Sequence, residues 1–332
     1  MPGKLIVDEI EDSGGTSVIG RKNYIINGNF DIWQRGTSVT GGYGPDRFVY
    51  QNSGSTGTFA QGSFTAGQTD VPNNPKYFAN LTITGADDEA NIAHRIEDVN
   101  TLSGETATIS FYAKHTTNAP TSFNITSWQV FGSGGSTAVN TSIATGQTTT
   151  TSWQKYTATV TFPSVSGKTI GAGSYLEVLI LNPNNETFDI QIAQVQLEKG
   201  SVATDFEVKP IGEELSLCQR YYAKSYNQAT SPGTASTTVG AINLVISATT
   251  SNGDRNTVFL PQTMREAPTV TLYSTVTGTA GKSRIEQTGT DTDVTAYYIG
   301  ESNFNYYLNG TQTATYTSQT HYQADAELWL IQ

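Results

Sequence analysis

Cysteine is almost missing: Cys218 is the only one in 332 residues. That excludes an intrachain disulfide framework and a thiolate metal cluster. Charge is scarce as well, at 14% of residues, where about 25% is ordinary. The shortage falls on the basic side, with 18 Lys and Arg against 29 Asp and Glu, for a net charge of −11. Binding to nucleic acid or to anionic lipid rests on a positive footprint, and this chain has none overall. No apolar run approaches the roughly 20 residues of a spanning helix. The opening stretch, Met1 to Ile10, carries Asp8 and Glu9 where a secretory signal needs a long apolar segment. These absences predict no nucleic-acid partner, no membrane insertion and synthesis in the cytoplasm without a signal peptide.

What fills the gap is Thr, Ser, Asn, Gln and 32 glycines, together with 17 Tyr, 13 Phe and 4 Trp. β-Branched and aromatic side chains suit a pleated, half-buried surface. The composition predicts an all-β protein whose aromatics build cores or binding faces.

Four regions follow from the pattern. Residues 1–22 form an arm in which Leu5, Ile6 and Val7 could add one strand to a partner before Ser13-Gly14-Gly15 breaks it. The arm reads either as a loose terminus or as a docking peptide that orders by β-augmentation. Residues 23–208 hold short period-two segments between Gly, Asn and Thr turns. In Thr106–Ala113, Ala107, Ile109, Phe111 and Ala113 share one face, and in Tyr156–Phe162 the threonines take the outer one. Further strands are read at Tyr77–Thr82, Ser122–Phe131, Tyr175–Leu181 and Asp189–Leu197, and the spacing predicts a jelly-roll β-sandwich. Residues 209–222 read as a linker helix, because Ile211, Leu215, Cys218 and Tyr222 fall on one helical stripe. That stripe would make an oligomer contact or would plug its own sandwich. Residues 223–332 return to β signals, ending in a strand read at Ala324–Leu330, and predict a second sandwich.

Chemistry is thin. His94, His115 and His321 are far apart and show no metal spacing. There is no nucleophile elbow and no P-loop. Phe131-Gly132-Ser133-Gly134-Gly135-Ser136 lacks the Lys-Ser/Thr of a phosphate loop and reads as a flexible turn. Asp87-Asp88-Glu89, Glu97-Asp98 and Asp291/Asp293 are the acids a glycosidase reading would need, and adjacent acids in loops are ordinarily solvated. Aromatics remain. Trp33 and Trp153 read as structural. Asn124, Thr126 and Trp128 lie opposite Phe123, Ile125 and Phe131 on their strand, so Trp128 and Asn124 make a candidate sugar platform unless a loop covers them. In the last region Tyr297, Tyr298, Tyr306 and Tyr307 flank Gly300 and Gly310 in Asn-rich surroundings. Tyr, Asn and Gly supply amphipathic area and adaptable hydrogen bonds, the physics of paratope loops.

The residues also carry a resemblance. Asn27-Gly28-Asn29-Phe30-Asp31-Ile32-Trp33 resembles the opening of jelly-roll carbohydrate-binding modules of families four and nine. Gly44-Pro45-Asp46-Arg47-Phe48, Arg95-Ile96-Glu97-Asp98-Val99, Ile109 to Lys114, Ala193 to Gly200 and Leu217 to Tyr222 follow in order. Together they look like the tail-fibre proteins of tailed bacteriophages over residues 23–222, with a looser likeness to tip domains around Arg265-Glu266-Ala267-Pro268. The resemblance implies a non-enzymatic virion protein, commonly a homotrimer, that contacts other virion proteins and host-surface polysaccharide. Its alternatives are a structural head or collar fibre or capsid decoration protein, and a polysaccharide depolymerase. In related modules a structural calcium lies near an acid after the opening motif and near an Asp before the final strand. Asp31 fits the first place, while uncharged Gln194 stands at the second. No catalytic residue, metal ligand or cofactor is assigned.

Overall fold

The computed structural model describes residues 23–86, 89–181, 185–247, 255–310 and 314–328. Leu5, Ile6 and Val7, the acids Asp87 and Asp88, and the stretch from Trp329 onward lie outside the described residues. The chain divides into two units. The first takes residues 23–31, 38–209 and Leu328; the second takes Ile32–Thr37 and Pro210–Glu327. The short segment from Ile32 to Thr37 therefore belongs with the C-terminal half.

The period-two segments of the first unit become two antiparallel six-stranded sheets. Its strands are β1 (Ser38–Val39), β2 (Gly42–Tyr43), β3 (Phe48–Ser53), β4 (Thr56–Ser63), β5 (Tyr77–Gly85) and β6 (Glu89–Glu97), then β7 (Thr106–Lys114), β8 (Phe123–Val130), β9 (Val139–Gln147), β10 (Gln154–Thr161), β11 (Tyr175–Leu181) and β12 (Phe188–Lys199). One sheet runs β1-β4-β5-β12-β7-β10 and the other β2-β3-β6-β11-β8-β9. The chain crosses repeatedly between the sheets, with β2–β3, β4–β5 and β8–β9 as pairs within one sheet, the jelly-roll arrangement that stacks two inner faces on one core. Phe111 of β7 is fully buried there, its ring 5.5 Å from Tyr156 and 6.1 Å from Phe123. A cavity of about 10 Å³, room for one water, remains among Leu81, Ile92, Phe123, Ile180 and Ile190.

The opening motif is a backbone device. Asn27 and Phe30 both adopt positive φ, at 60° and 57°. Gly28 passes so close to β12 that a Cβ there would lie 2.1 Å from the Val195 carbonyl oxygen. That approach is matched by a bulge in β12 between Ala193 and Gln196, where Gln194 has φ 51°.

The second unit opens with α1 (Ile211–Gln219), followed by β13 (Tyr222–Lys224), β14 (Ile242–Ile246), β15 (Asn256–Phe259), β16 (Thr269–Ser274), β17 (Lys282–Ile285), β18 (Thr290–Tyr297), β19 (Asn303–Leu308) and β20 (Tyr316–Asp325). They form one eight-stranded sheet, β13-β20-β17-β18-β19-β15, with β14 and β16 also paired to β20. Its core holds Leu244, Met264, Leu272, Phe304, Tyr306, Leu308 and Tyr322.

Three expectations are corrected. The helix buries Glu214 and, of the predicted stripe, Cys218: Ile211 is 59% exposed and Leu215 half-buried. The helix stops after Gln219, and Tyr222 pairs opposite Asp325 at the start of a strand, with the Arg35 guanidinium 3.6 Å above its ring. The last strand ends at Asp325, so Ala326–Leu328 is not extended pairing. The glycine loop is pinned: Ser133 N donates to Ala172 O at 2.9 Å, Gly171 N to Phe131 O at 2.7 Å and Ser136 N to Thr169 O at 2.9 Å.

Candidate functional site

The outward face of the β2–β9 sheet carries Trp128. Register places Arg95, Glu177, Trp128 and Asn140 in one row across β6, β11, β8 and β9. Arg95 Nε donates to Glu177 Oε1 at 2.7 Å, and Gln51 Nε2 donates to the same oxygen at 2.7 Å. Both charges are almost wholly buried, so they hold each other in a low-dielectric place where neither would stand alone. Leu328 O accepts from the Tyr43 hydroxyl at 2.7 Å and from Arg95 Nη1. Tyr43, Val49, Ala93 and Leu179 make a small buried apolar cluster on that end of the face. Trp128, by contrast, is 38% exposed. Asn124 is half-buried on the same face, and its Oδ1 accepts from Gly146 N at 2.9 Å, which ties the end of β9 to the start of β8 where their register shifts. Trp128 is thus partly accessible, while Asn124 is engaged locally.

In the second unit the tyrosines separate. β19 alternates: Phe304, Tyr306 and Leu308 point into the core, and Asn303, Asn305 and Tyr307 point out. The segment predicted as a loop is a strand. Tyr306 is fully buried, its phenol pushed up to about 12 by burial, with Asn256 Nδ2 donating to it at 3.3 Å. It is a core residue, and its assignment to a binding loop is withdrawn. Tyr307 stands opposite Thr295, and Tyr297 opposite Asn305, on the outward face. Tyr298 has φ 48°, which ends β18 and leaves its ring 74% exposed. The Tyr297 ring lies 4.7 Å from Tyr298 and 5.2 Å from Tyr307, and the Arg255 guanidinium is 5.2 Å from the Tyr297 centroid. Three of the four predicted tyrosines therefore converge, with an arginine the sequence reading had not singled out. Phe259, 76% exposed, stands opposite Asn303 on the neighbouring strand β15.

Another aromatic cluster was missed. Trp153, read as structural, packs half-buried beside Phe64 at 5.1 Å and Phe78 at 5.5 Å, with the Lys114 ammonium 5.3 Å from the indole. Phe78 faces outward from β5, opposite Gly62 of β4. A Cβ at Gly62 would lie 2.1 Å from the ring, so glycine is what lets the ring lie flat. No local signal ties Phe64, Phe78 and Trp153 together; only the strand order does.

The candidate acids are dispersed. Asp291 pairs with Arg284 at 3.5 Å and Asp293 with Lys282 at 2.7 Å, while Asp98 turns back to Asn100 at 2.9 Å. Burial raises the Asp31 carboxyl above its ordinary value against the hydrogen bond from Asn29, and the Lys76 ammonium acts on it as a nearby positive charge. Gln194 donates Nε2 to Pro72 O at 2.8 Å. One carboxylate beside an ammonium does not match a divalent-cation site, and among the described residues no three of His, Cys, Asp or Glu come together. No step is derived through calcium. His94 lies in the sandwich core, its ring 4.9 Å from Phe48, and Cys218 is buried.

No protein-family model matches the chain, and no curated protein matches it. Solved structures do. The enzymatically active domain of tailspike protein 4 from bacteriophage CBA120 is 14% identical, with a TM-score of 0.33 over 53% of this chain and 21% of that one. This chain thus spans about a fifth of that protein's length. The CBM22-1 xylan-binding domain of Xyn10C from Paenibacillus barcinonensis is 15% identical, with a TM-score of 0.32 over 50% of this chain and 94% of that one. A cyclase from Fischerella sp. TAU is 10% identical, with a TM-score of 0.39 over 56% of this chain and all of its own, 100%. Each likeness spans about half of the chain, and none carries over a ligand, an activity or a partner.

Proposed function

We propose that this chain is a non-enzymatic fibre protein on the virion surface of a tailed bacteriophage. It is a tail fibre that attaches to other virion proteins by residues 1–22 and binds host-surface polysaccharide. The observation that supports the reading is the outward tyrosine face of the second unit, where Tyr297, Tyr298 and Tyr307 meet beside Asn305. Exposed rings on a rigid sheet stack on the apolar face of a pyranose, and neighbouring amides take its hydroxyls. Burying about 100 Å² of ring surface contributes about 2.5 kcal/mol at 25 cal/mol/Å². That is weak alone, and a homotrimer would multiply it by linking three sites.

The test is saturable binding of the labelled full-length protein to bacterial cells and to their extracted polysaccharides, with native mass measured on the same sample. Binding to particular strains that drops with Tyr298→Ala supports the reading. A correctly assembled protein that binds no host cell overturns it in favour of a head or collar fibre or decoration protein. Release of reducing ends from a bound polysaccharide would overturn the non-enzymatic part and make the chain a depolymerase.

A further inference from the structure

The tyrosine face contains a charge that the protein's composition would not predict there. Acidic residues outnumber basic ones by 29 to 18, and most basic side chains near this sheet are neutralised. Lys282 is held by Asp293 at 2.7 Å, Arg284 by Asp291 at 3.5 Å, and Arg265 by Glu266. Arg255 differs. It is exposed, and among the described residues its guanidinium meets no carboxylate, only the ring of Tyr297 at 5.2 Å. Glu301, in the turn after Tyr298, makes no ion pair with it among the described residues. Beside it the Tyr297 hydroxyl is shielded from solvent, with no hydrogen-bond partner among the described residues.

We infer that this face takes an acidic saccharide, its ring stacked on Tyr298 and Tyr307 and its anionic group received by Arg255. The inference rests on the polysaccharide-binding reading above. A guanidinium held against an aromatic ring keeps its outer N–H groups free to fork onto a carboxylate or phosphate. The overall negative charge opposes this little at physiological salt, because charges more than about 8 Å away are largely screened. A neutral glycan would leave the guanidinium with no partner, and a free anion would leave the exposed rings uncovered. A sugar bearing a carboxylate or phosphate satisfies both.

The experiment uses the full chain with three probes: polygalacturonate, a glycerol-phosphate polymer and neutral dextran, titrated at low and at physiological salt. Polygalacturonate or the phosphate polymer should bind more tightly than dextran, with affinity falling as salt rises. Arg255→Gln should weaken the acidic probe roughly tenfold or more and leave dextran unchanged, with Arg255→Lys restoring part of the loss. Tyr298→Ala should weaken every probe that binds. The ratio between the two acidic probes tells carboxylate from phosphate recognition. Acidic-probe binding unchanged by Arg255→Gln, or a preference for dextran, overturns the anionic specificity while leaving the polysaccharide reading in place. Failure of all three probes together with failure to bind cells sinks the underlying reading itself. Both side chains are solvent-exposed, so neither variant should alter folding, which a thermal melt checks.

Discussion

In the first unit the large apolar side chains left exposed among the described residues are Trp128, Ile170, Val202 and Val208. In the second, which is the shorter, they are Ile211, Val239, Val245, Phe259, Val276 and Tyr298. The first unit has two sheets to press together, so each strand has an inner face to fill, and even the His94 ring is drawn in, 4.9 Å from Phe48. Among the described residues the second unit has one sheet, and the outer side of β15, β18 and β19 meets no second sheet of that unit. A scaffold that is finished internally needs no partner, whereas aromatic area on a rigid strand is area available for contact. On the function proposed above, the contrast leaves stability mainly to the first unit and recognition mainly to the second.

The largest expected effects probe the two interiors. Glu177→Ala should cost about 3–5 kcal/mol, because it leaves the buried Arg95 guanidinium without its counter-charge; denaturant melts followed by tryptophan emission report it. Tyr306→Ala should cost about 3–5 kcal/mol by opening the second core. Its neighbour Tyr307→Ala should cost under about 1 kcal/mol, and equal losses from the two would undo the assignment of faces on β19.

Acid should separate the units next. Burial raises the Asp189 carboxyl, but the Thr116 hydroxyl and the backbone N–H groups of Asn118, Thr117 and Thr116 outweigh it and hold it at about 2. A folded pKa below the ordinary 3.8 means that the unfolded chain binds the proton first. The contribution of Asp189 is therefore complete above about 3.8 and is lost as pH falls towards 2. Asp189→Asn should remove that dependence and cost about 1.5–3 kcal/mol near neutrality, the worth of hydrogen bonds to a charged group. His321 is lowered by burial, against the hydrogen bond to Thr237 O, and its ring stacks 3.8 Å from Tyr226. Its sign is the same but its window is higher: full stability above about 6.5, declining as pH drops below it. Melts across the pH range should show the second unit weakening first, and His321→Asn should flatten that early loss.

The smallest stability effects carry the functional contrast. Tyr298→Ala and Trp128→Ala should each leave folding within about 0.5 kcal/mol. Only the first should lower polysaccharide affinity strongly, by roughly tenfold or more. A larger loss from Trp128→Ala in the same titration would move recognition to the sandwich and reverse the comparison.

Much of the architecture was legible from alternation. β7, β8 and β10 fall where hydrophobic and polar residues trade places, while β11 and β12, buried on both faces for most of their length, stand out as runs between turns. The strands that were missed lack that contrast. Val139–Gln147 has no buried residue, Thr56–Ser63 has Phe59 as its one large apolar residue, and in Glu89–Glu97 His94 sits where alternation asks for an apolar group, with the buried Arg95 beside it. Arg95 is explained by Glu177, which lies 82 positions away, a separation that no local window spans. The tyrosine site was half legible. Adjacent residues on a strand point to opposite sides, so Tyr306 and Tyr307 could not both face solvent. Tyr297 and Tyr298 escape that rule only because a positive φ ends the strand between their side chains.

The order of the sandwich sheets has one more consequence. Their outermost strands are β1 and β2, two residues each, and β9 and β10, which are polar and largely exposed. β9 also breaks register twice against β8, and Lys155 stands near the start of β10. A long, flat, greasy border would template pairing with the next copy, whereas short, charged or kinked borders frustrate it. Many copies can therefore be crowded side by side at high local concentration without zipping into fibrils along their rims.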